Sequence, residues 1–256
     1  MDVQTAWIDL PAENGAMSLF VAEPAASGTY PGIAYFHVVL GINAQHQSVA
    51  SRLASEGYVV AVSDMYHRVG YRLSYRFPDD MVDARATRDT LSYYGIAADS
   101  RTALNYLRGH PKVDADQLGA VGYCVGATMA LLSASFNRDI KAVAAMYPTD
   151  LFPPALTQAK PVPPTELMAS INGPVLMLSG SADKNPSPAD VRAAAALMER
   201  MNKSFEHHLY EGDPPAGHAF FDEDLPMGNH GAVEWAWPLK LDFFRRNLKV
   251  TAPAAT

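Results

Sequence analysis

Cysteine is nearly absent from the sequence: Cys124 is the single cysteine among 256 residues. One thiol cannot form a disulfide within the chain, which favours a reduced setting. The sequence also lacks the run of about 20 apolar residues that a membrane-spanning helix needs. Its first residues have neither the basic start nor the apolar stretch of a signal peptide. We therefore expect a cytoplasmic protein with no membrane partner.

Positive charge is scarce as well. The chain has 20 lysine and arginine residues against 27 aspartate and glutamate residues, for a net charge of −7, and no basic cluster indicates a nucleic-acid surface. No glycine-rich phosphate loop occurs, and His207, His208 and His230 fit no standard spacing of metal ligands. We expect no nucleic acid, metal or cofactor. The expected partner is a small-molecule substrate, and the expected state is a monomer or a homodimer.

What the sequence does contain is an alternation of strand and helix patterns. The continuous apolar runs "GIAYFHVV" and "YVVAVSDMY" are typical of strands that are covered on both faces. Between them lies "AQHQSVASRLASEG", a helical pattern for which Asn43 is the expected N-cap. Strand, helix and strand at this spacing predict an α/β fold with a mostly parallel central sheet and helices on both faces.

A longer helical region begins at Asp79 or Asp80 and extends to about His110, and we expect one break in it near Gly95. No internal repeat and no composition shift indicates a boundary between domains. We therefore predict one domain over residues 1–256, in which residues 249–256 form a frayed tail.

The cysteine lies between two glycines in Gly122-Tyr123-Cys124-Val125-Gly126, after the strand pattern "QLGAVGY" and before the helical pattern "GATMALLSASF". A sharp strand-to-helix turn exposes a nucleophile above the sheet, and its neighbours two residues away must be small because strand and helix approach closely. The positive end of the following helix favours a thiolate. The alternative is an inert cysteine buried in the core.

A thiol nucleophile needs a base, and the base needs an orienting acid. Asp183 follows the strand pattern "PVLMLSG", and His218 lies in the loop after the strand pattern "SFEHHLY". Both positions are at carboxyl ends of strands, where an open α/β sheet carries its site. We predict that Cys124, Asp183 and His218 form a catalytic triad.

Three segments, "GYCVGA", "GSADKNP" and "AGHAF", resemble in this order the dienelactone hydrolase family, and the likeness extends from about Leu19 to Leu248. The resemblance implies an α/β-hydrolase fold in which Cys124 is the nucleophile, His218 the general base and then acid, and Asp183 the orienting carboxylate. The segment "YFHVVLGIN" is similar to the family's oxyanion-hole turn. The implied donors are the backbone N–H groups of Val39 and Val125.

The chain departs from the family pattern at two positions. A glutamate commonly follows the histidine of the oxyanion-hole turn, whereas here His37 is followed by Val38. We therefore expect Cys124 to pair directly with His218 in the free enzyme. Family members that act on dienelactone carry an arginine a few residues after the catalytic histidine, but this chain has Asp222. An aspartate repels a carboxylate, which favours a neutral substrate.

These observations predict a hydrolase that cleaves a carboxylic ester or lactone through an acyl-enzyme. Because thiols suit activated substrates, enol-lactones, activated esters and thioesters are favoured. The alternative is a catalytically silent relative that binds a ligand or partner. Whether the proline-rich segment from Pro148 to Pro164 forms a lid stays open. The candidate substrate contacts are His37, Val38, Tyr147, Phe220, Arg72 and Arg76.

Overall fold

A single sheet of eight strands organises residues 1–249, the part of the chain that the computed structural model describes. Residues 250–256, on which most of the predicted frayed tail falls, lie outside the described residues. The strands lie side by side in the order β1-β2-β4-β3-β5-β6-β7-β8. Their bounds are Val3–Ala12 (β1), Gly15–Pro24 (β2), Tyr30–Phe36 (β3), Val59–Ser63 (β4), Val113–Tyr123 (β5), Ile140–Met146 (β6), Val175–Gly180 (β7) and Phe205–Tyr210 (β8).

The first two strands form a hairpin, and the other strands form a parallel sheet beside it. Asn14, with φ +66°, and Gly15, with φ +135°, make the tight turn between β1 and β2. β2 then pairs antiparallel with β4, and every neighbouring pair from β4 to β8 is parallel. The prediction of a mostly parallel sheet is confirmed.

Helices connect the parallel strands, and polar side chains fix where several of them begin. The Asn43 side chain accepts a hydrogen bond from the His46 N–H, as the N-cap prediction requires. Ser187 and Asp190 form a reciprocal capping box at the start of a later helix. The helices are α1 (Ala44–Ser55), α2 (Met81–Asp89), α3 (Tyr93–Gly109), α4 (Val125–Phe136), α5 (Pro164–Leu167), α6 (Pro188–Arg200) and α7 (His230–Asn247).

The long helical region breaks earlier than the sequence predicted. α2 ends at Asp89 and α3 begins at Tyr93, so that Gly95 lies within α3. Ser92 is the cause, because its side chain accepts a hydrogen bond from the Gly95 N–H and caps the new helix. The expected break near Gly95 was therefore wrong by a few residues, since the capping serine decides the boundary and the glycine does not.

Alternate residues of the strands have their side chains on opposite faces of the sheet, and each set contributes to one of two apolar cores. In β4, Val59 and Ala61 belong to one core, whereas Val60 and Val62 belong to the other. Helices α3, α4 and α6 complete the first core, and α1 and α7 complete the second. Helices on both faces are therefore confirmed. No helix within residues 1–249 combines the length and the apolarity that a membrane crossing requires.

Parallel strands bring distant segments of the chain together at one edge of the sheet. Because β3, β5, β6, β7 and β8 all run in the same direction, the segments that follow them leave from the same edge. Those segments carry Val39, Cys124, Tyr147, Asp183 and His218.

Candidate active site

Cys124 occupies a strained turn between β5 and α4. Its backbone has φ +56° and ψ −127°, a conformation that residues with a side chain rarely adopt. A Cβ atom at Gly122 would lie 2.0 Å from the Gly126 carbonyl oxygen, and one at Gly126 would lie 2.2 Å from the Phe36 carbonyl oxygen. Both glycines are therefore required by the close approach of strand and helix. The turn presents a half-buried thiol, so the alternative of a sealed core cysteine does not describe this residue.

His218 and Asp183 meet at this turn although 35 residues separate them in the chain. The Nδ1 atom of His218 donates to the Oδ2 atom of Asp183 at 2.9 Å. The other carboxylate oxygen of Asp183 accepts from the Asn185 N–H at 2.9 Å, and the aspartate side chain has no exposed surface. The acid is thus held in one orientation, and it leaves Nε2 of His218 free to face another group.

That other group is the thiol of Cys124, which borders the same cleft as His218 and influences its pKa. Burial lowers the pKa of His218, but the hydrogen bonds with Asp183 and Cys124 and the charges of both partners outweigh burial and raise the pKa to about 10. The environment therefore favours a protonated imidazole next to the sulfur. The three residues that the sequence selected are brought into one cluster.

The two amides implied as an oxyanion hole flank the same thiol. Val125 is the first residue of α4, where backbone N–H groups have no partner within the helix. Val39 lies in the turn after β3, and its carbonyl oxygen accepts a hydrogen bond from the Tyr66 hydroxyl at 3.1 Å. Both residues line a cleft that also contains Cys124 and His218. We call this space, of about 420 Å³, the Cys124 cleft.

A second space of about 210 Å³ opens from the other side of the thiol. Its walls are mostly apolar, and we call it the aromatic cavity because Tyr35, Phe77, Tyr123, Tyr147 and Phe221 line it. It shares Cys124 and His218 with the Cys124 cleft. An apolar space with a few polar groups at one end is typical of a small-molecule site.

Two of the six predicted substrate contacts line this cavity. Val38 is one of them, and Tyr147 is the other. The Tyr147 ring lies 5.1 Å from the His218 ring, centroid to centroid. Phe220 is fully buried behind Tyr147, at 5.0 Å between ring centroids, and the next residue, Phe221, lines the cavity in its place. His218 and Ala219, which precede Phe220 and Phe221 in the sequence, also border the cavity.

His37 lies behind the oxyanion-hole turn and does not line the cavity. Its side chain is fully buried, its Nδ1 donates to the Val38 carbonyl oxygen at 2.7 Å, and its Nε2 accepts from the Met65 N–H at 3.2 Å. Burial lowers the pKa of His37, which keeps the ring neutral. With both nitrogens engaged, His37 supports the turn and has no free atom for a substrate.

The two predicted arginines lie outside the site. Arg72 bonds to Asp9 at 3.1 Å and to Ser18 at 3.0 Å, beside the β1–β2 hairpin. Arg76 pairs with Asp80 at 3.0 Å in an exposed loop. Neither side chain is part of the lining of the aromatic cavity or the Cys124 cleft.

Sequence reasoning missed Arg85, an exposed residue of α2 that borders both spaces around the thiol. Within residues 1–249 it forms no ion pair. Arg88, one turn further along α2, borders the Cys124 cleft and pairs with Asp89 at 2.6 Å. The only signal was their spacing of three residues in the predicted helix after the loop, which does not show which way a helix faces.

Sequence reasoning also missed His46, which lies on the inner wall of the aromatic cavity. Its Nδ1 is 2.5 Å from the Tyr35 hydroxyl, and its Nε2 has no hydrogen-bond partner among the described residues. Burial, helped by the nearby His37, lowers the pKa of His46 to about 3, so the ring stays uncharged. The polar neighbours of His46 in α1 are typical of a helix surface, so the sequence gives no signal for this position.

Comparison with known proteins finds relatives that match nearly the whole chain. A protein from Synechocystis, provisionally named carboxymethylenebutenolidase, is 27% identical over 251 residues, which cover 97% of this chain and 99% of that protein. A protein from Bradyrhizobium, provisionally named 2-oxo-3-(5-oxofuran-2-ylidene)propanoate lactonase, is 30% identical over 248 residues and 94% of each chain.

A solved structure from Klebsiella pneumoniae, provisionally named dienelactone hydrolase, superimposes with a TM-score of 0.86 at 22% identity. The match covers 96% of this chain and 100% of that one, and it confirms the α/β-hydrolase fold. The model of the dienelactone hydrolase family matches residues 17–248. The chain therefore belongs to the dienelactone hydrolase family and is a carboxylic ester or lactone hydrolase.

Proposed function

We propose that the chain hydrolyses an activated ester or a lactone through a covalent acyl-enzyme on Cys124. The observation that carries the proposal is the His218 side chain, which contacts the Asp183 carboxylate on one side and the Cys124 thiol on the other. A nucleophile, a base and an orienting acid close together are the parts that acyl transfer needs.

In the first step, the sulfur of Cys124 attacks the carbonyl carbon, and the carbon–oxygen double bond becomes an oxyanion. The N–H groups of Val39 and Val125 donate to that oxyanion, and each such donor typically contributes about 3–4 kcal/mol to the transition state. The carbonyl re-forms, the bond to the leaving oxygen breaks, and the protonated His218 donates its proton to that oxygen. The product of this step is a thioester on Cys124.

In the second step, His218 accepts a proton from water, and the hydroxide attacks the thioester carbonyl. The bond to sulfur then breaks, the carboxylic acid is released, and Cys124 returns to the thiolate beside a protonated His218. Asp183 keeps the imidazole in one orientation and stabilises its positive charge throughout. The raised pKa of His218 supports a protonated imidazole beside the sulfur in the resting enzyme.

Val38 supports direct pairing of Cys124 with His218 in the free enzyme. It stands where the family resemblance implies a glutamate, and it borders the aromatic cavity. A valine cannot accept a proton or a hydrogen bond, so at this position nothing competes with His218 for the thiol.

The charge around the aromatic cavity favours a substrate whose enclosed part is neutral. Asp222 borders this cavity and is 7% exposed. Burial, helped by the nearby Asp224, raises the pKa of Asp222. The ionised form of this carboxyl group repels an enclosed carboxylate. The cation of Arg85 lies at the exposed border of the same space, where it can meet an anionic substituent outside.

The experiment compares wild-type protein with Cys124→Ala and His218→Ala on p-nitrophenyl acetate and on a neutral enol-lactone. We expect wild-type turnover of both substrates. Intact-mass spectrometry should show one acyl group on wild-type protein quenched in acid during turnover, and no acyl group on Cys124→Ala. Unchanged activity in Cys124→Ala would exclude the thiol as the nucleophile.

Alkylation by iodoacetamide separates this proposal from a catalytically silent binding protein. We expect the wild-type thiol to react rapidly even in mildly acidic buffer, because the imidazolium of His218 holds it as a thiolate. In His218→Ala the rate should become strongly dependent on pH, as for an ordinary thiol. Identical pH profiles in the two proteins would contradict the direct pairing of Cys124 with His218.

A further inference from the structure

A third space lies beside the turn between β5 and α4, and it shares no lining residue with the aromatic cavity. It measures about 250 Å³, and it is enclosed by the first turns of α4 and by the proline-rich segment 149–164. We call it the α4 cavity. Its lining is mainly apolar and includes Leu91, Ile96, Met129, Leu132, Pro153 and Pro154. The proline-rich segment, for which the sequence did not settle a role as a lid, thus borders this cavity and not the aromatic cavity.

The α4 cavity adjoins the Cys124 cleft. Val125 and Thr149 border both the α4 cavity and the Cys124 cleft. The Thr149 N–H donates to the carbonyl oxygen of Cys124 at 3.4 Å, so this junction is next to the thiol. The aromatic cavity and the α4 cavity are therefore two arms that both adjoin the Cys124 cleft.

The junction holds a polar atom that no other part of the described chain satisfies. Thr149 is 8% exposed, and its hydroxyl has no hydrogen-bond partner within residues 1–249. By contrast, the neighbouring Thr128 hydroxyl donates to the Thr149 carbonyl oxygen at 2.5 Å. A buried hydroxyl without a partner is unfavourable, and an oxygen atom of a bound molecule at the junction would satisfy it.

The position of His218 indicates which part of an ester binds in the aromatic cavity and which part binds in the α4 cavity. As the general acid, it must reach the oxygen of the leaving group. His218 borders the aromatic cavity and the Cys124 cleft, but it is not part of the lining of the α4 cavity. With the leaving group beside His218 in the aromatic cavity, the acyl substituent on the carbonyl carbon can extend past Val125 into the α4 cavity.

We propose that the α4 cavity binds the acyl chain of the substrate, and that the enzyme favours open-chain esters or thioesters with an apolar acyl group of about six carbons or more. This proposal rests on the proposed function and specifies its substrate. An apolar cavity of about 150 Å³ is large enough to bind benzene, so a space of about 250 Å³ accepts a hexanoyl chain. A small lactone ring would leave this arm empty.

The experiment varies the acyl chain and keeps the leaving group constant. Values of kcat/KM are measured for p-nitrophenyl acetate and p-nitrophenyl hexanoate in the wild type and in Ala155→Trp. Ala155 is an exposed residue whose side chain lines the α4 cavity, so an indole there fills the cavity with little risk to folding. Leu156→Trp is the matched control, because Leu156 is 50% exposed and does not line the cavity.

We expect the wild type to favour hexanoate over acetate by at least about tenfold, in line with the effect of added methylenes in an apolar pocket. Ala155→Trp should lower kcat/KM for hexanoate by a similar factor and leave acetate within about twofold. Leu156→Trp should change neither value. A wild type that turns over both esters without a chain-length preference would overturn the proposal.

An Ala155→Trp enzyme that loses acetate and hexanoate activity equally would also overturn it. Failure of the underlying function would look different, since neither ester and no enol-lactone would then be hydrolysed by the wild type. Met129→Phe narrows the same cavity from the α4 side and checks the result with a second variant. It should reproduce the selective loss of hexanoate activity.

Discussion

Tyr66 connects the core of the molecule to the oxyanion-hole turn. Its ring is buried against His37, with ring centroids 4.7 Å apart, and its hydroxyl donates to the Val39 carbonyl oxygen. The Val39 N–H belongs to the preceding peptide plane, so a hydrogen bond at the carbonyl restricts its direction. Tyr66 is therefore a positioning residue that acts through Val39.

Removing that hydroxyl should weaken catalysis and leave binding almost unchanged. We expect Tyr66→Phe to lower kcat by about 2- to 10-fold, the value of one hydrogen bond, with little effect on KM. Tyr75→Phe is the control, because the Tyr75 hydroxyl bonds to Thr87 at 2.6 Å, away from Val39. Steady-state kinetics with an enol-lactone measure both variants. A change confined to KM would argue against a role in the transition state.

Asp183 orients the imidazole and supports its charge. Asp183→Asn retains the shape of the side chain but loses its negative charge, so the pKa of His218 should fall and the resting ion pair should weaken. We expect kcat/KM to fall by roughly 10²- to 10⁴-fold. Nearby Asp190→Asn alters only the capping box of α6 and should retain activity. Similar losses in both variants would point to a general folding defect.

Chain order and residue type were enough to predict that Cys124, Asp183 and His218 lie at the same edge of the sheet. The reason is that a strand-to-helix turn and loops after parallel strands have fixed relative positions. The substrate contacts were harder to predict. Whether Phe220 or Phe221 faces the cavity depends on one residue of loop conformation, and the backbone of Ala219 has φ +60°. Arg72 was misleading because its partner, Asp9, is 63 residues away.

At the scale of elements, the joint between β5 and α4 depends on the contact of α4 with the end of β3. Gly126 lies so close to the Phe36 and His37 carbonyl oxygens that a Cβ atom would be 2.2 Å and 2.4 Å from them. These are backbone atoms, which cannot rotate away as a side chain can. A larger residue at this position would therefore push α4 and the oxyanion-hole turn apart.

Gly126→Ala should destabilise the protein by about 1–3 kcal/mol, the usual effect of overpacking, and should also reduce activity. Gly109→Ala is the matched control, because a Cβ atom at Gly109, the last residue of α3, has no neighbour within 4 Å. Urea unfolding followed by circular dichroism gives both free energies. Equal stability of the two variants would contradict the close contact.

The elements themselves were largely predictable from apolar runs and capping residues, as Asn43 at the start of α1 illustrates. The boundary between α2 and α3 was not, since Ser92 and Gly95 are both acceptable near a helix end and only the hydrogen bond between them selects the serine as the cap. The prediction of one domain over the whole chain stays a prediction.

At the scale of the whole molecule, two basic side chains, Lys240 and His218, make opposite contributions to the dependence of stability on pH. Lys240 is fully buried; its Nζ donates to the Tyr123 hydroxyl at 2.6 Å and lies 3.9 Å from the centroid of the Trp237 ring. Within residues 1–249 it has no carboxylate partner. Burial, helped by the charge of Arg52, lowers the pKa of Lys240 far below its usual value.

Unfolding lets Lys240 bind a proton, so its contribution to stability rises with pH, by at most about 1.4 kcal/mol per unit, until about pH 10. The raised pKa of His218 acts in the opposite direction. Its contribution is complete below about pH 6.5 and is lost as the pH rises through about 10. The slope of the wild type is the sum of these two effects and those of the other titrating groups.

Lys240→Met should remove the rising contribution, so stability in this variant should fall more steeply between pH 7 and pH 9.5 than in the wild type. Lys141→Met, at an exposed position of β6, should leave the slope unchanged. Urea denaturation at several pH values provides the comparison. Equal slopes in Lys240→Met and the wild type would mean that Lys240 is charged in the folded protein.

The single, half-buried thiol of Cys124, in the turn between β5 and α4, also determines how this molecule is repaired after oxidation. A thiolate beside an imidazolium is the form that peroxides convert to a sulfenic acid, and the usual internal rescue is a disulfide with a neighbouring cysteine. This chain contains no second cysteine. Reduction of an oxidised Cys124 back to the thiol therefore requires a thiol from another molecule, such as a soluble low-molecular-weight reductant.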